Sequence, residues 1–520
     1  MFDPIPFWIS CIFIFSVPLV PIIFYLIVQN YKRTSFWEQR GIIHLPATPL
    51  FSKDILDSFL IRYSLLSEVY NHGTGNVCCG FFQFRKPALL IRSPNVINLI
   101  LNQEFKNFQN KRHGDYTDGN KDPLSQHLLA LNGFKWKCLR AKLTPTFTSE
   151  KLKSMFSLLE TCVENFLDRI DESKGDPIDI MEICGKLSID AIASCAFGLE
   201  LQCLKNRNHD FIRMGRAAFR PGNWRMFKAH FRTLYPQFFK KFNISAYGND
   251  VNDFFCSLVS ETIRRRKLSG EKRVDFIYLL MKMLEEDEAT ITESDRTSTI
   301  KFTDDLIAAQ AFSFFIGGYE TTSITMSSIF YELARHDGIR QTVQNEIDSV
   351  LSPQCEISYN DLKSLQYLDM VIKEVLRLHP PAFYIQRICS EDFQIPGTDV
   401  TIEKDMEVYI PILEIHKDES NFHRPLEFIP ERFSTENKSK IPKGSYLPFG
   451  DGPRKCIGMR FSLMELKLVI VRTMLEYDFH LEKTTPEEIN LEEYSRIYKI
   501  KNKIFLRFIK RVKNKKIYML

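Results

Sequence analysis

The run Phe449-Gly-Asp-Gly-Pro-Arg-Lys-Cys-Ile-Gly-Met-Arg-Phe461 puts a single cysteine, Cys456, at the end of a loop rich in glycine and proline. Directly after it, Phe461, Met464, Leu468, Val471 and Leu475 recur at spacings near three and four, which predicts a helix. A thiol at a helix N-terminus faces unpaired backbone N–H groups and the positive end of the helix dipole. Arg454, Lys455 and Arg460 add positive charge nearby. These features favour the thiolate, the form that ligates metal. Gly450, Gly452 and Gly458 permit close backbone approach to something flat and bulky. A lone cysteine at a helix start is more often a buried structural residue. The chemistry therefore rests on the whole pattern.

A second unusual stretch is Gly317-Gly-Tyr-Glu-Thr-Thr322. It falls inside a long helical pattern that begins at Thr303-Asp304-Asp305, where a capping threonine and two acids suit the positive helix end. The pattern continues to about Arg335, roughly 50 Å at 1.5 Å per residue. Ala308 to Ile316 is apolar on nearly every side, which predicts a buried helix. Two glycines in its interior cost about 1 kcal/mol each relative to alanine. A carboxylate in such surroundings, Glu320, costs more unless paired. Local rules broken together mark a functional site.

The pattern Phe-x-x-Gly-x-Arg-x-Cys-x-Gly, met at Phe449, Gly452, Arg454, Cys456 and Gly458, resembles the haem-binding loop of the cytochrome P-450 family. The glycine-containing stretch of the long helix resembles that family's oxygen-binding motif, with Gly317 where alanine is common. The resemblance implies that Cys456 is the axial ligand of haem b, with Phe449, Gly452, Arg454, Gly458 and Gly318 around the cofactor. A thiolate ligand favours O–O cleavage. Thr321 would donate a hydrogen bond to iron-bound oxygen, and Glu320 would help relay protons.

Other family elements follow in order. Trp136-x-x-x-Arg140 resembles the helix that donates to one haem propionate, and Arg387 stands at the spacing of the donor to the other. Glu374-x-x-Arg377 puts an acid and a base on one helix face, and Phe428-Ile-Pro-Glu-Arg432-Phe433 supplies a second arginine. By resemblance Glu374, Arg377 and Arg432 together support the haem loop. Pro381 to Gln386 would line the substrate pocket, and Tyr498 to Phe508, which alternates enough for strands, would close its far wall. The stretch Asp122 to Ser149 is similar to insect microsomal members, many of which oxidise plant toxins and insecticides.

The implied fold is mainly α with small β-sheets: one large catalytic domain, residues 51–520, behind an N-terminal anchor. The chain has 520 residues, 44% of them hydrophobic, ample for a large core. A net charge of +5 over that length gives no case for nucleic acid. The 43 phenylalanines suit an apolar interior or pocket. The 12 cysteines are dispersed with no Cys-x-x-Cys pair, which points to free thiols in a reducing compartment.

From Pro4 to Tyr31 there is no charge, and Phe7 to Val28 is almost wholly apolar, long enough to cross a bilayer. Lys32, Arg33 and Arg40 follow, so the positive flank belongs on the cytoplasmic side. This predicts a signal anchor over 1–31, a proline-containing linker over 32–50 and a cytosolic body at the endoplasmic reticulum. Gly80 to Arg92 suits two strands joined at Arg85-Lys86-Pro87. The aromatic and basic stretch with Phe211, Phe219, Trp224, Phe227, Phe231 and Tyr235 either roofs the site against the membrane or is an ordinary helical surface. Glu285 to Thr299 reads as exposed.

The expected activity is insertion of one atom of O2 into an apolar small molecule, with electrons from NADPH through a reductase and possible assistance from cytochrome b5. Lys438, Lys440, Lys443, Arg454 and Lys455 could dock such an acidic partner or form a plain solvated face. Endogenous hormone or fatty-acid hydroxylation remains open. A haem-thiolate isomerase of hydroperoxides is disfavoured by Glu320 and Thr321.

Overall fold

The computed structural model describes residues 35–46, 62–83, 86–112, 122–205, 210–219, 238, 241–242, 245, 247–286, 303–351, 357–492 and 497–511. The expected anchor over 1–31, the residues Trp224, Phe227, Phe231 and Tyr235, and all but the first two residues of the acidic stretch lie outside these. Among the described residues no helix is long and apolar enough to cross a membrane.

The architecture is mainly helical with small sheets. The helices that matter here are α1 (Tyr63–His72), α2 (Gly133–Leu143), α3 (Phe156–Asp171), α4 (Ile180–Ile192), α5 (Asn249–Ser269), α6 (Phe276–Glu286), α7 (Asp304–Arg335), α8 (Asp337–Val350), α9 (Gln366–Leu378) and α10 (Met459–Glu476). Helix α7 starts where the capping residues place it: the Thr303 side chain accepts from the Leu306 N–H at 3.1 Å. It then runs unbroken through both glycines and packs against α4, α5, α9 and α10. In its apolar first half Phe315 meets Phe211 edge-on, Phe312 meets Tyr247 edge-on, and Phe255 packs tilted against both, with Phe197 edge-on to Phe211 behind them. Part of the phenylalanine excess is accounted for by this interior.

A four-stranded sheet contains β1 (Cys78–Gln83), β2 (Lys86–Ile91), β4 (Tyr384–Ile388) and β5 (Glu407–Pro411), in the order β1-β2-β5-β4. Only β2 and β5 are parallel. Gln83 pairs with Lys86, so Lys86 and Pro87 lie in the second strand and not in the turn expected at Arg85-Lys86-Pro87. Pro87 pairs only with Phe82 of β1, and the parallel pairing of the second strand to β5 begins at Ala88, past the residue that lacks an N–H. A second sheet joins β3 (Ile178–Asp179), β7 (Phe505–Lys510) and β6 (Tyr477–Leu481) in the order β3-β7-β6. The strand expected over 498–508 is thus confined to its last part, and Tyr498 enters through irregular backbone.

Residues 35–46, expected as linker, fold back onto the first sheet. Trp37 is fully buried and fills the space over Gly80, where an added Cβ would lie 2.5 Å from the indole. The packed body therefore begins ahead of residue 51. All ten cysteines among the described residues are free, as their dispersal predicted.

Candidate functional site

The loop before α10 is shaped by glycines that only glycine can replace. Gly452 has φ +71°, and a Cβ there would stand 1.9 Å from the Leu101 carbonyl oxygen. The Lys455 N–H donates to Gly452 O at 3.0 Å, and the Cys456 N–H donates to Phe449 O at 2.8 Å. Phe449 thus clamps Cys456 through its backbone. Gly458 ends the loop as the N-cap of α10.

Cys456 is accessible. Burial nonetheless pushes its thiol up, against the backbone N–H groups of Gly458 and Met459 and the charge of Arg140, which pull it down. Both facts hold because the sulfur lies well inside the molecule and looks into an interior cleft. The expectation about what acts on the sulfur is corrected in its sources. The cation that acts on the sulfur is Arg140, not Arg454, Lys455 or Arg460. Desolvation also outweighs the helix N-terminus, so the polypeptide by itself favours the thiol and a bound cation must displace its proton.

The middle of α7 reaches the first turn of α10. Ile316 to Thr321 are half-buried or exposed in a helix otherwise buried on both sides. Thr322 Oγ1 lies 3.5 Å from Ser462 Oγ of α10, which joins the two elements next to Thr321. The Thr321 hydroxyl donates to Gly317 O at 2.5 Å. The two glycines differ in role. Gly317 borders open space, whereas a Cβ on Gly318 would stand 2.4 Å from Ile192 Cδ1. Gly318 therefore serves the packing of α7 on α4, and Gly317 is the one that edges the cleft.

The cations named from sequence converge on one side. Arg454 Cζ lies 4.2 Å from the Trp136 ring centroid, and its Nη2 donates to Leu131 O at 2.8 Å. Trp136 and Arg140 sit one turn apart on α2. Arg387 on β4 is buried; its Nη1 donates to Gln386 O at 2.8 Å, and its Nε has no partner. Burial alone pulls its pKa down to about 10. Sequence reasoning missed Lys111. The Ile388 N–H donates to Asn110 O at 2.9 Å, which brings Lys111 beside Arg387. Burial and the charges of Arg387 and Arg454 push the Lys111 ammonium down to about 7, with no acid to oppose them. No local signal marked it, because the contact joins segments far apart in sequence.

Behind the loop, Glu374, Arg377 and Arg432 meet. Arg377 forks onto Glu374 at 2.7 and 2.8 Å, and Arg432 Nε reaches the same carboxylate at 3.2 Å. Glu374 and Arg377 are fully buried. Arg377 also donates to His416 O, Pro425 O and Glu427 O, and Arg432 donates to His423 O and Arg424 O. The charged knot therefore works chiefly by satisfying carbonyls of the irregular segment that precedes the cysteine loop.

These residues fit a haem: an accessible cysteine at a helix start, a glycine edge opposite, and buried cations without a balancing acid where a dianionic rim would lie. A family model for Cytochrome P450 matches residues 64–508, and the chain belongs to that family. It is 33% identical to cytochrome P450 6k1 of Blattella germanica, over 92% of this chain and 93% of that protein. It is 32% identical to cytochrome P450 6a2 of Drosophila melanogaster, over 95% and 99%. The chain is thus a haem-thiolate monooxygenase of the type found in insects.

Proposed function

We propose that the chain inserts one oxygen atom from O2 into apolar small molecules, xenobiotics such as plant toxins or insecticides, using haem b ligated by Cys456. Electrons come from NADPH through a membrane-bound reductase, with cytochrome b5 as an optional second donor. The protein sits in the endoplasmic reticulum membrane, held by its apolar first 31 residues. The observation that carries this reading is accessible Cys456 just ahead of α10, with the partly open Gly317–Thr321 turn of an otherwise buried α7 joined to α10 through Thr322 and Ser462.

Bound haem supplies the capacity to bind and split oxygen; the chain does the rest. Trp136, Arg140, Arg387, Arg454 and Lys111 would hold its carboxylates, and burial weakens the charged forms of Arg140, Arg387 and Lys111, a cost that this pairing would relieve. Glu374, Arg377 and Arg432 keep the supporting segment rigid. Thr321 keeps its hydroxyl proton on Gly317 O and can turn it into the cleft, while Glu320 on the same turn exchanges protons with solvent. The apolar wall of α7 excludes water and suits an apolar substrate. Exposed Lys438, Lys440, Lys443 and Lys455 offer an acidic partner a charged face beside the ligand loop.

The reading is tested with the purified full chain and a reductase. A reduced, carbon monoxide-bound band near the position typical of a haem thiolate, together with NADPH-dependent oxidation of an apolar probe, is expected. Haem without turnover would mean a carrier or sensor. Turnover of hydroperoxides alone would mean an isomerase. Thr321→Ala is expected to keep NADPH consumption and lose product by about 100-fold or more, the scale of a lost proton donor.

A further inference from the structure

Glu332 in the last turn of α7, His379 just past α9 and Tyr498 in the closing segment form a chain that the site described above does not use. His379 Nε2 lies 2.6 Å from Glu332 Oε1, and its Nδ1 lies 2.7 Å from the Tyr498 hydroxyl. All three side chains are buried. The second carboxylate oxygen of Glu332 lies 3.4 Å from His336 Nδ1. The carboxylate accepts a hydrogen bond from His379 Nε2–H, which leaves Nδ1 to accept from the Tyr498 O–H. A buried carboxylate tolerates no looser arrangement, because leaving it unpaired is costly.

This chain is attached to backbone that borders the cleft. The Tyr498 N–H donates to Pro381 O at 3.0 Å, and Ala382 and Ile497 form an antiparallel bridge. The Tyr498 ring lies 6.0 Å from Phe383, which packs on Tyr63 of α1. The zipped segment then becomes β4. Ile385 is half-buried there, its Cδ1 3.8 Å from where a side chain on Gly450 would begin, and Arg387 follows.

We propose that Glu332, His379 and Tyr498 are positioning residues that set how close β4 and the closing segment stand to the cleft, and so determine which apolar substrates fit. The inference rests on the haem reading of the cleft. None of the three touches substrate; they act through Pro381 to Ile385.

The test uses the purified full chain and two azoles whose binding moves the Soret band. Imidazole occupies only the space over iron, whereas 1-phenylimidazole reaches the wall. Tyr498→Phe removes one hydroxyl and keeps the ring; His379→Phe removes both links; His379→Asn keeps an acceptor toward Tyr498. Tyr498→Phe and His379→Phe are expected to weaken 1-phenylimidazole about tenfold, His379→Asn less, and imidazole by under about twofold. Unchanged 1-phenylimidazole binding overturns the proposal. So does parallel weakening of both azoles, or haem loss in Tyr498→Phe, since either would make the chain a general support. A wild-type chain with no Soret band would instead overturn the haem reading.

Discussion

Gly452 shows how much one residue decides. Its positive φ and the Leu101 carbonyl behind it leave no room for a methyl group. Gly452→Ala is therefore expected to destabilise by more than about 2 kcal/mol, since backbone strain and a clash act together. Thermal unfolding and haem content per chain would show it; a variant with normal haem content and midpoint would refute the geometry. At Gly317 the same substitution meets open space. Gly317→Ala is expected to leave folding intact or improve it by up to about 1 kcal/mol through helix propensity, while crowding the cleft beside Thr321. The contrast between neighbours in the same motif lies in which face of α7 each one occupies.

At the scale of elements, the segment between β5 and the cysteine loop has little regular structure and is held by side chains. Arg377 spans it, and Glu374 holds Arg377. Glu374→Gln leaves a buried guanidinium with a weakened partner. Breaking a buried pair costs about 3–5 kcal/mol, so loss of haem retention is expected before loss of helix content. Pyridine haemochrome assay alongside far-ultraviolet circular dichroism would separate the two. His416 closes the same segment onto the loop. The Leu447 N–H donates to its Nε2 at 2.9 Å, so the ring proton sits on Nδ1 and is donated to Arg377 O at 3.0 Å. Both nitrogens are committed to the neutral ring, and burial pushes its pKa down to about 3.

For the whole molecule, two buried groups set stability against pH from opposite sides. His416 is neutral in the fold and has an ordinary pKa near 6.5 when unfolded. The unfolded chain binds the extra proton, so stability falls as pH drops below about 6.5 toward 3. Glu465 on α10 is buried with neither carboxylate oxygen bonded, and burial pushes it up to about 8. Here the folded chain holds the extra proton, so stability falls as pH rises from the ordinary glutamate range through about 8. Glu465→Gln is expected to flatten the alkaline limb and raise the thermal midpoint there, with the acid limb unchanged. A midpoint that still fell equally toward alkaline pH would show that Glu465 is not the source.

What could be read without coordinates was whatever a short spacing encodes. The cysteine loop, the capped and glycine-broken α7, the Glu374–Arg377 face and the Trp136–Arg140 turn are local patterns, since helix geometry and turn chemistry act over a few residues. The mainly helical architecture with small sheets followed from their order. Lys111 beside Arg387, Gly318 against Ile192, His416 under Leu447 and the His379–Tyr498 bond join segments distant along the chain, so no window of sequence contains them. The charge state of Cys456 belongs with these. Its neighbours in sequence argued for a thiolate, but desolvation by the surrounding body acts more strongly, and only the folded arrangement sets how much protein surrounds a sulfur atom.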